Sequence, residues 1–482
     1  MGFLGIALAL GLLIWLAYRG WSVLLLAPVA ALLAAGFSGE PLLAQWTQVF
    51  MANAAQFIAQ FFPVFLLGAL FGKLMEDSGA VSAIATFLTA TLGPQRAILA
   101  VVVAGALVTY GGVSLFVSYF VLVPMAASLF EAANIPRRLI PATVLLGSST
   151  FTMSAMPGTP AIQNTIPMPF FGTTPFAAPG LGLIASAIMA GLGLAWLSWR
   201  AGQARRRGEG FGPALAQAAP SEARLRELGA LAHEFDPAEH DHSAPSTLPL
   251  PGILTSTLPL VVVVAVNLLM SFAVLPRLDA DYLGEPRFGE VSLPAVAGVW
   301  SVVTALAAAC ATLLALRGRA IPSVRATLDA GANASILPIF SVASLAGFGA
   351  VIASLPAFGA VRDWVLTIDG GPLVSLAVAT NLLAALTGSA SGGLTIALEA
   401  LGHSYMQMAA QYGIAPALLH RIAAISAGTL DILPHNGAVV TLLAVSNCTH
   451  KESYGDIVMT GIVTALVALV VVVALGALVG SF

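Results

Sequence analysis

The chain has 482 residues, of which 58% are apolar and 9% charged, with a formal net charge of −3 and a mean hydropathy of +0.94. That balance excludes a soluble domain and a nucleic-acid binder. Two cysteines, Cys310 and Cys448, exclude a disulfide framework and a cysteine-based metal site.

A hydrocarbon core about 30 Å thick takes roughly 20 apolar residues per spanning helix. The chain supplies such stretches at Gly2 to Ala17, Trp21 to Gly36, Phe61 to Gly72, Leu181 to Trp199, Leu258 to Leu275, Leu293 to Leu316 and Ile457 to Leu478. The first has no cation before it and reads as a retained helix rather than a signal peptide. The 47 glycines and 29 prolines lie largely in apolar surroundings, so broken helices are expected.

The Arg-rich loop holding Arg200, Arg205, Arg206 and Arg207 is taken as cytoplasmic. Counting spans then puts fifteen of the 19 cations inside. Only Arg277, Arg287, Arg362 and Arg421 fall outside, which predicts an inner-membrane, multi-pass protein with both termini periplasmic. Residues 201–246 are the one long hydrophilic stretch. They read as a solvated linker between two membrane halves, 1–200 and 247–482, in preference to a metal site built on His233, His240 and His242.

The halves echo each other in order. Ala52-Asn53-Ala54 matches Ala332-Asn333-Ala334, and Pro63-Val64-Phe65 matches Pro338-Ile339-Phe340. Gly111 to Ser114 matches Gly392 to Thr395, Ile135-Pro136 matches Ala415-Pro416, and Met156-Pro157 matches Leu433-Pro434. Five spans per half invert the second copy, so the predicted fold class is an all-α polytopic membrane protein of two inverted-topology repeats.

Each half has one segment too long and glycine-broken for a single span, 97–130 and 372–411. These predict re-entrant hairpins with tips at Thr109, Gly111, Gly112 and Ser114, and at Thr387, Gly388, Ser389, Ser391 and Gly392. Glycines let a ligand approach the backbone, and hydroxyls donate and accept. The next segments, 138–168 and 416–447, predict broken helices through Ser149, Thr150, Thr152, Gly158 and Thr159, and through Asp431, His435, Asn436 and Gly437. Pro157 and Pro434 favour the unwinding. Unwound helices leave N–H groups and positive dipole ends at membrane depth, which suits a carboxylate without a cation in the breaks.

Asp431 and His435 are the only ionisable residues in the four breaks, which assigns them a proton-coupling role. Asn436 and Gln163 are candidate orienting amides. Glu399 and His403, four apart, share a helix face as a relay or a surface pair. Lys73, Glu76 and Asp77 anchor a helix end. Sodium coupling through hydroxyls and carbonyls is the rival reading, and a channel built on re-entrant loops is another. No constellation for an enzyme is present, and no cofactor is expected.

The runs Leu433-Pro434-His435-Asn436-Gly437-Ala438 and Ser453-Tyr454-Gly455-Asp456 resemble the gluconate permease family of the ion transporter superfamily, nearest to its 3-hydroxybutyrate permease branch. The resemblance covers the chain outside the linker. It implies a proton-coupled symporter for a small hydroxy- or sugar-acid monocarboxylate, and a homodimer whose scaffold holds a moving, elevator-type transport domain carrying the hairpins and broken helices. The chain departs from the gluconate carriers at the second broken helix, which favours a shorter acid.

Overall fold

The computed structural model describes residues 2–17, 19, 21–212, 250–366, 368, 370–434 and 436–482. The histidines His233, His240 and His242, most of the linker, and His435 lie outside them. Every regular element among the described residues is helical. Six helices there are long and apolar enough to cross a membrane, and a bent pair makes a seventh candidate.

Two apolar helices, α1 (Gly2–Ala17) and α2 (Val23–Phe37), pack against each other and lead into α3 (Leu42–Asp77). A shorter α4 (Ala80–Leu92) meets the following segment at a bend of 103°. The chain then forms α5 (Ala97–Tyr110), a turn over Gly111 to Ser114, and α6 (Leu115–Ala132), which packs back on α5. Next come α7 (Ile140–Ser148) and the single turns α8 (Phe151–Ser154), α9 (Ile162–Thr165) and α10 (Pro167–Phe171), before α11 (Pro179–Arg206).

After the linker the same succession of element types returns. Two apolar helices, α12 (Ile253–Arg277) and α13 (Leu293–Ala320), precede the long α14 (Val324–Ser354) and the short α15 (Phe358–Leu366). A helix pair follows, α16 (Gly371–Thr387) and α17 (Ala390–Tyr412). An interrupted helix, α18 (Pro416–Ala427) and α19 (Gly437–Val445), leads to the last candidate span, α20 (His450–Val479).

These helices form because a helix satisfies its backbone groups within the segment, which with the closed barrel is one of the two solutions open to a chain in hydrocarbon. Their arrangement follows from small residues at the crossings. A Cβ on Gly393 would lie 2.3 Å from the backbone of Ala384, so the arms α16 and α17 touch main chain to main chain. The two halves interlock: α14 packs on α2, α3 and α17, and α11 packs on α20.

At one end of the bundle, cations assigned to the same side from sequence come together. Asp456, 2% exposed, accepts from Arg138 Nη1 at 3.0 Å, Arg200 Nε at 2.7 Å and Trp196 Nε1 at 3.0 Å. Arg138 also forks onto Glu209 at 2.7 and 2.9 Å. The carboxyl of Glu209, just beyond α11, is held below the usual carboxylate range first by that hydrogen bonding. Lys73 pairs with Glu76 and Asp77 at 3.3 and 3.0 Å, and Asp77 also accepts from Thr327 at 2.6 Å. That helix end is thereby tied to the second half. His403 bonds Gln407 at 2.9 Å, so it turns along its own helix away from Glu399.

Arg421 departs from the expected topology. It was counted on the outer side, within the segment 416–447, yet it sits in α18 fully buried, at 0% exposure. The reason is its backbone partners, described next.

Candidate functional site: a cavity between the breaks

Three of the four interruptions converge. A cavity of about 150 Å³ is lined by Thr109, Gly112, Val113, Ser114 and Leu115 from the first hairpin turn, and by Met153 and residues 160–163 from the first broken segment. Ser391 comes from the second hairpin. The opposite wall is Val64, Phe65, Gly68 and Ala69 of α3, Leu306 of α13, and Ala334, Ser335 and Pro338 of α14. No charged side chain lines it among the described residues.

Of the predicted tip residues, the cavity gathers Thr109, Gly112, Ser114 and Ser391. Thr109 donates to the Gly105 carbonyl at 2.8 Å and meets the Thr152 hydroxyl at 3.1 Å. One buried contact therefore joins hairpin to broken helix. Ser114 is the N-cap of α6 and makes no side-chain cap, leaving first-turn N–H groups beside the cavity without that partner. Gly112 has φ +98°, a left-handed value suited to glycine, and its missing Cβ would stand 2.9 Å from Pro160 Cγ.

The remaining predicted residues hold structure around this space and do not line it. Gly111 packs on Leu260 of α12. Ser149 meets Tyr119 OH at 2.9 Å, and Thr150 donates to Leu146 O at 2.7 Å. Gly158 donates to Pro175 O at 2.9 Å and accepts from Asn267 Nδ2 at 3.0 Å. The Thr159 carbonyl accepts from Asn164 at 2.9 Å. In the second half Thr387 donates to Leu383 O at 2.8 Å, and Ser389 caps α17 by accepting from Gly392 N at 3.1 Å. Asn436 caps α19 by accepting from Ala438 N at 2.7 Å and Val439 N at 3.1 Å. Its amide nitrogen donates to Gly388 O at 2.8 Å, which ties the second hairpin turn to the second broken helix. Gly437 is the first residue of α19, and Asp431 lies in the turn before it, outside the cavity lining.

The four breaks themselves hold no cation, but Arg421 reaches the first of them from the helical arm α18. Its Nε donates to Ala177 O at 3.0 Å, and Nη2 to Ala177 O at 2.7 Å and Pro175 O at 3.3 Å. Nη1 donates to Ala155 O at 3.1 Å and Asn164 Oδ1 at 3.2 Å. One guanidinium thus gathers the Ala155 carbonyl of the first broken helix and two carbonyls of the turn before α11. His420 joins it, with Nε2 3.1 Å from Asn164 Oδ1 and Nδ1 2.6 Å from Thr173 Oγ1. Tyr110 OH donates to Pro157 O at 2.8 Å from the hairpin side. A lone Arg beside a His within the apolar run Leu418 to Ile425 was the signal available in sequence; the span count masked it.

The wall from α3 and α14 was also missed as lining. Its sequence signal was the matched pair Pro63-Val64-Phe65 and Pro338-Ile339-Phe340, which brings Val64, Phe65 and Pro338 to the cavity.

Interrupted helices closing on an interior cavity within an apolar bundle define a multi-pass membrane transport protein. Residues 1–174 match the model of the GntP family permeases. The chain is 41% identical over 476 residues to the uncharacterized transporter YxjC of Bacillus subtilis (strain 168), covering 97% of this chain and 98% of that one. It therefore belongs to the GntP permease family, and it is a transporter rather than an enzyme. Among solved structures it resembles MtrF of Neisseria gonorrhoeae, described within a class of antimetabolite efflux pumps, at TM-score 0.51 and 16% identity over 88% of this chain and 83% of that one. The YdaH transporter of Alcanivorax borkumensis aligns at TM-score 0.46 and 18% identity over 89% and 88%. The likeness to MtrF is one of fold.

Proposed function

We propose that the protein is a secondary active transporter that takes up a small organic monocarboxylate such as 3-hydroxybutyrate together with protons across a bacterial inner membrane. The observation that carries this reading is the cavity between the two hairpin turns and the first broken segment, uncharged on its walls and bordered by the N-terminus of α6. A carboxylate fits there: N–H groups and the Ser114 hydroxyl bind it without a salt bridge, and the cavity volume suits a molecule of a few heavy atoms.

Asp431 carries the coupling proton in this account, with His435 as its partner. The two halves form inverted repeats, the reading favoured by the twofold succession of element types. Hairpins and broken helices ride as an elevator against a scaffold that includes α3 and α14, whose wall of the cavity is apolar apart from Ser335, and two copies form the dimer. Both termini face the periplasm in this account, the end where Arg138 and Arg200 meet on Asp456 being the cationic, inward one.

The test is uptake into proteoliposomes under an inward proton gradient, repeated with choline replacing sodium. Driven uptake that survives the replacement supports proton coupling; uptake lost with sodium transfers the coupling to that ion. Competition by gluconate at a level equal to the short acids would move the substrate to the sugar acids.

A further inference from the structure

Gln163 stands in an unusual position on the cavity wall. It is 5% exposed, it lines the cavity, and its amide oxygen has no hydrogen-bond partner. A buried amide left half unsatisfied costs free energy that a folded chain normally recovers with a partner or a ligand. The residue beside it shows the opposite condition. Asn164, 0% exposed, donates to Thr159 O and Pro175 O at 2.9 and 3.0 Å and accepts from Arg421 and His420 at 3.2 and 3.1 Å.

The short helix Ile162–Thr165 is therefore fixed from behind by a saturated amide while presenting an unsaturated one at the cavity. That contrast points to recognition, because packing alone would have been served by a leucine or methionine at 163. The terminal amide torsion of glutamine is soft, so the group can turn either its carbonyl or its NH₂ to a ligand.

We propose that Gln163 is the specificity-determining residue of the transport site, forming the hydrogen bond that separates a hydroxyl-bearing short carboxylate from its unsubstituted analogue, with Asn164 and Arg421 as its positioning residues. This rests on the carboxylate-transport reading above. The α6 end of the cavity holds the carboxylate, and Gln163, on the wall supplied by the first broken segment, accepts from the hydroxyl. A site with a polar group aimed at a substrate hydroxyl discriminates against the analogue lacking it, because the buried group is then left unpaired.

The experiment is equilibrium binding of 3-hydroxybutyrate and of butyrate to the full-length protein in lipid nanodiscs, for the wild type, Gln163→Leu and Gln163→Met. The wild type is expected to hold 3-hydroxybutyrate about tenfold more tightly, the scale of one net hydrogen bond. In both variants the two acids should bind alike, with butyrate held at least as tightly as by the wild type, because the unpaired amide is gone. Retained discrimination in either variant overturns the proposal. So does loss of both acids in both variants, which would make Gln163 a residue of the fold. If the wild type binds neither acid, the carboxylate reading itself falls and this inference falls with it.

Discussion

The guanidinium of Arg421 donates to the carbonyl of Ala155 at 3.1 Å, across a separation of 266 residues. This contact joins the second broken helix to the unwound part of the first, so the two interruptions are one construction. Arg421 to Gln or Met removes this donor from the carbonyls of Ala155 and Ala177, while Pro175 O keeps its bonds from Gly158 N and Asn164. Each unpaired buried carbonyl costs about 1–3 kcal/mol, so a loss of about 2 kcal/mol or more is expected, read as a lower thermal midpoint in detergent. Arg421→Lys should recover only part of it, since an ammonium cannot span the same set of acceptors.

Asn436 performs two separable tasks. Asn436→Asp keeps the oxygen that caps α19 and removes the donor to Gly388, whereas Asn436→Ala removes both. The Ala variant is expected to lose about 1 kcal/mol of stability, the usual scale of a helix cap. The Asp variant should fold nearly as well and show slowed uptake, because the second hairpin turn is no longer tied to the broken helix. Equal uptake in wild type and Asp variant would show that the tie has no part in transport.

Gly112 and Gly39 both have left-handed backbones, φ +98° and +76°, but a Cβ at Gly39 meets nothing within 4 Å. Gly39→Ala thus carries only the backbone strain, about 1 kcal/mol. Gly112→Ala adds a clash with Pro160 in the cavity wall and is expected to cut initial uptake about tenfold or more, beyond the effect of Gly39→Ala. Initial rates normalised to protein inserted in the vesicle decide it.

The Glu209 carboxyl lies below its ordinary range because Arg138 hydrogen-bonds it. A depressed carboxylate contributes stability that is fully present above its unfolded pKa and lost as pH falls through the folded pKa. Glu209→Gln should therefore lower the thermal midpoint slightly at neutral pH, and the gap from wild type should close as the pH is taken down through that window. A gap constant with pH would mean that the pair contributes through shape and not charge. The contribution is small, since the pair is partly solvated.

The helical, membrane-spanning character was legible in composition alone, and punctuation showed where helices stop. Tyr110 and Thr387 end their helices beside the glycines that mark the turns, and α18 ends before Pro434. Arg421 was not legible as a buried cation, because counting spans assigns every cation to one side of the membrane. A guanidinium can be buried when unwound backbone offers it carbonyls, a tertiary condition that no local pattern announces. Asn436 was read as an orienting amide, and the structure gives it a cap and a bridge. Its second partner, Gly388, is 48 residues away. The cavity wall of α3 and α14 was hidden because Val64, Phe65 and Pro338 look like any apolar packing.

The central claim is coupled transport of a short carboxylate. Its most direct test is uptake of radiolabelled 3-hydroxybutyrate into proteoliposomes under an imposed inward proton gradient, comparing wild type with Asp431→Asn. The account predicts saturable, gradient-driven uptake by the wild type, blocked by unlabelled short acids, and its loss in the variant. Driven uptake unchanged in Asp431→Asn would contradict the proton role, and no uptake under either a proton or a sodium gradient would contradict the substrate.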